Sequence, residues 1–249
     1  MHQQEDVFRR FRESLARADG RIHLMSNAVS AEMRDAWFHA VRRECMTRRR
    51  FGQIEVSEAE IEEAFQALCS EVNGINEKKH AIVVLVVSGS IKALRRLETF
   101  AATAEGELAD WLQLAVSDLS VRLQTELLGE PHMLIASGLG AKDDKLRFFA
   151  LFSSNGDAPF EAWQQRFMEK EFTYILSEKG CEIDILNVGE RHVELLFLVP
   201  LATDCFSILA KLIEECNEYG HFLSPRLFVS NAKRMAEEEI QQWKRSDKP

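Results

Sequence analysis

The sequence predicts an α+β protein, helical in its first half and built on a small sheet in its second. Three observations predict it. Over residues 132–231 apolar runs and amphipathic stretches alternate in the order strand, strand, helix, strand, strand, helix, strand. Two of the runs, 148–152 and 193–201, are nearly continuous in apolar residues, as strands covered on both faces are. Before Pro131, apolar residues recur at spacings of three and four, the period of helices.

Within the second half, runs 133–137 and 146–152 flank Gly138, Gly140, Asp143 and Asp144, a hairpin signal. Asp157 is placed to cap the next helix, with Pro159 in its first turn, where a missing N–H costs nothing. That helix carries Phe160, Trp163, Phe167, Phe172, Ile175 and Leu176 as one stripe and ends at Gly180. Cys181, Ile183 and Ile185 alternate with Glu182 and Asp184, so this strand buries one face and belongs at a sheet edge. Thr203 or Asp204 caps a second helix with Cys205, Leu209, Leu212, Ile213 and Cys216 inward, Gly220 stops it, and 227–229 is the last strand. Without its first strand this order is βαββαβ, the split unit of the ferredoxin-like architecture, in which the first and third strands are central. The continuous apolar runs fall on those two. Both helices of such a unit lie on one sheet face, so the central strands require a second cover: the helical half, a second copy of the chain, or a ligand.

With 249 residues, 46% of them apolar, the chain is long enough for two modest domains. A net charge of −9 argues against general nucleic-acid binding, which needs a basic surface. No run approaches the roughly 18 apolar residues of a membrane span, and the first residues lack a basic segment followed by an apolar core. The expected location is cytoplasmic, with no membrane partner. Cys45, Cys69, Cys181, Cys205 and Cys216 are odd in number and widely spaced, which suits buried reduced thiols better than disulfides or a metal site.

In the first half, 5–19 and 28–50 are helical by pattern and rich in arginine: Arg9, Arg10, Arg12, Arg17, Arg42, Arg43, Arg48, Arg49 and Arg50. Either they form an anion or RNA surface or, the preferred reading, they are a solvated face balanced by Glu13, Asp35 and Glu44. Ser57 and Glu60 make a capping box, Val56 and Ile61 the staple around it, and the helix they start has the stripe Ile61, Ala64, Phe65, Leu68 and Val72, closed by Asn73-Gly74. Segment 81–87, Ala-Ile-Val-Val-Leu-Val-Val, has a strand's composition in a helical context. It is followed by Ser88-Gly89-Ser90, a helix with Ile91, Leu94, Leu97 and Phe100, and another with Leu108, Trp111, Leu112, Ala115, Leu119 and Leu123.

The succession "LVVSG", "SIKALRRLETF", "ELADWLQLAV" resembles a HEAT-type helical repeat. The resemblance implies that 81–87 is helical through tertiary override of propensity, and that the half offers an interaction surface. Glu130-Pro131 marks the expected boundary. The predicted domains are a HEAT-like helical domain, 1–130, a ferredoxin-like domain with an extra N-terminal hairpin strand, 131–231, and a C-terminal amphipathic helix and tail, 232–249, carrying Met235, Ile240 and Trp243. Through "SGLGAKDDKLRFF" and "IEECNEYGHFL" the chain also looks like members of an uncharacterised bacterial family that pairs such helices with such an α+β half, a likeness that implies no activity.

Motifs of catalysis are missing: no GxSxG elbow, HExxH, strand-following GxGxxG or complete GxxxxGK[ST] occurs. Neither catalytic residues nor a cofactor are predicted. The seven histidines include no pair three or four residues apart, so no metal is predicted either. Residues 138–142, Gly-Leu-Gly-Ala-Lys, evoke a phosphate cradle but sit in a hairpin with no helix N-terminus beyond. If function lives there, Lys142, Lys145 and Arg147 are the anion contacts. Residues 155–159, Asn-Gly-Asp-Ala-Pro, resemble the loop in which ACT-type regulatory domains hold amino acids, and "LSEKGCEIDIL" has that family's helix-to-strand rhythm. The resemblance implies a small amino-acid-like ligand at Asn155, Gly156 and Asp157, although Phe160 stands where the pattern has glycine. An RNA-recognition surface is not expected, because 193–198 has neither basic residue nor glycine.

The first expectation is a non-enzymatic protein-interaction or scaffold protein that binds a partner or itself through sheet surface. The alternatives are an ACT-type sensor of a small molecule, and an enzyme with a site at the junction of the halves.

Overall fold

The structure, a computed structural model, describes Glu13, residues 21–53 and residues 55–245, the side chains of Asp157 and Arg245 excepted. Apart from Glu13, the helix expected over 5–19 lies outside the described residues. The chain divides into two units, one spanning Asp19–Ala136 and the other holding Ser137–Pro249.

In the first unit, strand β1 (Arg21–Leu24) is followed by helices α1 (Ala31–Arg50), α2 (Glu58–Cys69), α3 (Ile75–Val87), α4 (Ile91–Ala101) and α5 (Gly106–Leu128), then by strand β2 (His132–Ile135). β2 pairs in parallel with β1, Arg21 opposite His132 and Leu24 opposite Ile135. This corrects two expectations: the half is not all helical, and 133–137 makes no hairpin with 146–152. A parallel pair needs a long crossover, which the intervening helices provide. The boundary consequently falls after Ala136 rather than at Glu130-Pro131.

α3 is the middle of this unit and touches α1, α2, α4 and α5. Residues 81–86 are all buried. Surrounding helices therefore receive every face of a segment whose β-branched residues favour a strand by only a few tenths of a kcal/mol each. Burial of each Ile, Val or Leu is worth about 1.5–3 kcal/mol, so packing decides. α2 starts with the expected capping box: the Ser57 amide donates to Glu60 (2.8 Å) and the Glu60 amide donates to the Ser57 hydroxyl (3.3 Å). It stops at Cys69, however, which leaves Val72 beyond its end and 94% exposed instead of in the core.

The second unit contains β3 (Ala141–Lys142), β4 (Lys145–Ser154), α6 (Ala162–Glu178), β5 (Glu182–Val188), β6 (His192–Pro200), α7 (Cys205–Asn217), β7 (Leu223–Ser230) and α8 (Glu237–Arg245). The strands lie in the order β5-β6-β4-β7, each antiparallel to its neighbour, and the two-residue β3 pairs with the start of β4. The apolar strands β4 and β6 are thus central and β5 is an edge, as their compositions predict. The extra hairpin strand is β3, not 133–137.

α6 begins later than expected. Glu161 is its cap and Gln164 completes the box, while Asn155–Asp157 forms a single 3₁₀ turn with Gly156 at φ 65°. The reason is local: the Phe160 amide donates to Glu190 O (2.7 Å) and its ring meets Phe222 edge-on, holding 158–160 extended. Asp157 and Pro159 are therefore not in the first turn.

Alternation along β4 sends Phe148, Ala150 and Phe152 to one face and Phe149 and Leu151 to the other. On the first face Phe152 meets Phe172 of α6, ring centroids 5.1 Å apart. On the second, Phe149 and Leu151 bury Ile240, with Leu196, Phe228, Met235 and Trp243 packed around them. The second cover is therefore α8 of the same chain, not a second copy or a ligand, and 232–249 belongs to this unit. Its approach is fixed by Gly138: a Cβ there would lie 1.7 Å from Ala232 O. The Leu139 amide also donates to Asn231 O (3.1 Å).

Candidate protein-interaction surface

The sequence of α1 divides its surface sharply. Trp37, Val41 and Arg48 point inward. Arg48 is held there by two carboxylates, its Nε donating to Glu44 (2.8 Å) and its Nη2 to Glu60 (3.0 Å). The Glu60 carboxyl lies below its usual range, through the Ser57 amide first, then the Ser57 hydroxyl and Arg48. The opposite side carries large apolar residues in water: Phe38 is 42% exposed, Met46 60%, and Phe51, just past the helix, 71%. Phe38, Arg42 and Met46 are four residues apart and make one row; His39, Arg43 and Thr47 make the next. Arg42, Arg43, Arg49 and Arg50 are exposed and have no carboxylate partner among the described residues, unlike Arg34, Arg48, Arg96, Arg122 and Arg147, which all do.

Beside this face runs a groove of about 690 Å³ between α1 and α3. Its floor is apolar, with Ala36, Ala40, Val83 and Trp111, and its rim carries His39, Arg43, Asn76, Lys79 and His80, together with Glu44, the carboxylate that pairs with Arg48. Lys79 pairs with Glu107 and lies 4.8 Å above the Trp111 ring. The two alanines, one turn apart, keep the helices' facing surfaces low enough to leave the groove open. A second hollow of about 580 Å³, between α2 and α3, shares Asn76 and His80 but is lined by Glu60, Glu63 and Glu77 against the single cation Arg48, which pairs with Glu60. Charge thus changes sign across α3.

The residues singled out in the sequence lie elsewhere, in the second unit. Lys142 (2.7 Å) and Lys145 (2.6 Å) both donate to Glu182, whose acid is held down to about 2 by those two bonds. Arg147 donates to Asp184 (2.6 Å) and to Leu139 O (2.9 Å). These cations close ion pairs from β3 and β4 across β6 to β5, so they are not free anion contacts. Asn155 donates its side-chain amide to His221 O (3.0 Å), which fixes a residue held at φ 49°. Gly156 supplies the turn, and the Asp157 side chain lies outside the described residues. The two groups sit at opposite ends of the ten-residue β4, about 30 Å apart. The structure does not bring them together.

No protein-family model matches the chain, and no curated protein matches it. Among solved structures it is similar to a candidate transposase from Deinococcus radiodurans R1, with a TM-score of 0.36 and 15% identity over 42% of this chain and 92% of that one. It is also similar to a REP-associated tyrosine transposase bound to a REP hairpin, with a TM-score of 0.32 and 14% identity over 41% of this chain and 64% of that one. Likenesses this distant carry no argument about function. Among the described residues no helix is long and apolar enough to cross a membrane.

One contact has no signal in local sequence. His23 and His132, brought together by the parallel strands, share a 2.7 Å bond between Nε2 and Nδ1. The His23 base is weakened by burial first, then by the neighbouring His132 and Arg21. A base whose folded pKa lies below its free value of 6.5 stabilises the fold fully above that pH and loses the contribution as pH falls through the depressed value. The melting midpoint should accordingly hold steady above about pH 7 and drop below it, and His23→Gln should flatten part of the drop. The comparison of the two proteins isolates His23 from His192, whose base is also weakened, by burial and then Lys244. Identical pH profiles for both would show that the pair contributes nothing.

Proposed function

We propose that the chain is a non-enzymatic protein-interaction or scaffold protein whose working surface is the outer face of α1 with the groove beside it. The observation that carries this reading is the interleaving of exposed Phe38, Met46 and Phe51 with arginines that have no carboxylate partner among the described residues. Leaving such side chains in water forgoes about 25 cal/mol for each Å² they would bury. Aromatic residues, Met and Arg are also the types enriched where proteins meet.

We read α3 to α5 as a HEAT-like unit, on their succession of packed helices, and β4 to β7 with α6 and α7 as a ferredoxin-like unit, on their strand order. Self-association through the sheet loses its motive once α8 lies over Phe149 and Leu151; if copies meet, the α1 face is the better place. Sensing at 155–159 gains nothing from the geometry, since the Asn155 amide is committed to His221 and the Phe160 ring is buried against Phe222.

A photo-crosslinking side chain in place of Met46 tests the reading, with one in place of the exposed Tyr174 as reference. Discrete protein adducts at position 46, abolished by Phe38→Ala, are expected in cells. Equal labelling at both positions would mean that α1 has no partner.

A further inference from the structure

We infer that the groove between α1 and α3 receives an acidic amphipathic helix of a partner protein, an inference that rests on reading the α1 face as a protein interface. Charge selects the sign of the occupant. Arg42, Arg43, Arg49 and Arg50 have no carboxylate partner among the described residues, so the matching surface must supply carboxylates.

Shape and polarity select a helix. The floor of Ala36, Ala40, Val83 and Trp111 is apolar and lies between two helices, a trough that a third helix fills with one row of side chains. Beside this trough, and outside its lining, the exposed row from Phe38 to Met46 is about 12 Å long at 1.5 Å per residue, slightly more than two turns. An occupant with apolar residues at i, i+3, i+4 and i+7 matches that length, with Glu or Asp on its flank facing the arginines.

The same surface suits a phosphate backbone poorly. Phe38 and Met46 stand in the middle of the cationic face, and Glu60, Glu63 and Glu77 line the hollow on the far side of α3. A polyanion that runs on from the arginines across α3 meets those carboxylates, which a short helix seated in the first groove does not need to reach.

Fluorescence anisotropy on the whole protein decides the matter with three labelled probes. The first is a designed helical peptide with Leu at i, i+3, i+4 and i+7 and Glu elsewhere. The second is its counterpart with Lys for Glu, and the third a single-stranded oligonucleotide of matching charge. Only the acidic peptide should bind, more weakly as salt rises. Its affinity should fall at least about tenfold in Arg42→Glu/Arg43→Glu and in Phe38→Ala/Met46→Ala, with circular dichroism unchanged. Binding of the oligonucleotide in preference to the peptide would overturn the inference, as would peptide binding that ignores Phe38 and Met46. If none of the probes binds while crosslinks from position 46 persist, the occupant is wrong and the interface stands.

Discussion

Ile240→Asp should lower the stability of the second unit by roughly 3–5 kcal/mol, because the new carboxylate would replace a fully buried side chain with no partner for its charge. Ile240 is the centre of the α8 contact, set between Phe149 and Leu151. The chain has two ways to respond. It can bury the carboxylate, or it can release α8 and bare Phe149, Leu151, Leu196 and Phe228. The second leaves most of the sheet hydrogen-bonded, so the variant should bind a hydrophobic dye under conditions where it still shows native secondary structure. Denaturant titration with and without the dye checks both effects. A variant that melts with the parent and binds no extra dye would show that α8 is not a cover.

The helical unit has a comparable keystone. Trp37 is fully buried, donates its indole N–H to Asp118 Oδ2 (3.2 Å) and meets Trp111 edge-on at 5.2 Å. Trp37→Ala removes the largest buried side chain of α1 and should cost about 3–5 kcal/mol. Trp37→Phe keeps most of the volume but leaves Asp118 with Arg122 alone, and should cost about 1–2 kcal/mol. Chemical denaturation followed by circular dichroism at 222 nm, a standard helix band, separates the two. Equal losses for Phe and Ala would put the whole effect in the hydrogen bond, and negligible loss for Ala would mean that the site collapses around the gap.

What was legible in the sequence was carried by local signals. The capping box at Ser57 and Glu60, the alternation at Cys181 to Ile185, and the unbroken apolar runs of β4 and β6 each follow from residues a few positions apart. Together they place the strands correctly. The parallel β1–β2 pair escaped because two four-residue strands separated by more than a hundred residues carry no period to detect. The start of α6 escaped because Asp-Ala-Pro is a good cap in isolation, and only the distant carbonyl of Glu190 and ring of Phe222 hold it extended.

The candidate site shows the same limit. Lys142, Lys145 and Arg147 look free along the chain, yet their partners Glu182 and Asp184 lie two strands away on β5. The arginines of α1 look alike in a row, but Arg48 turns inward to Glu44 and Glu60 while Arg49 and Arg50 face water. Which charge is available is settled by packing, and the sequence shows only that charge is present.

Because α8 is encoded after the strands it shields, a ribosome releases β4 and β6 before the segment that closes over them. During that interval the nascent sheet carries Phe149, Leu151, Leu196 and Phe228 uncovered. Slow elongation between the codons for residues 200 and 240 would lengthen the interval and raise the demand for chaperones, at translation speeds of about 5–20 residues per second.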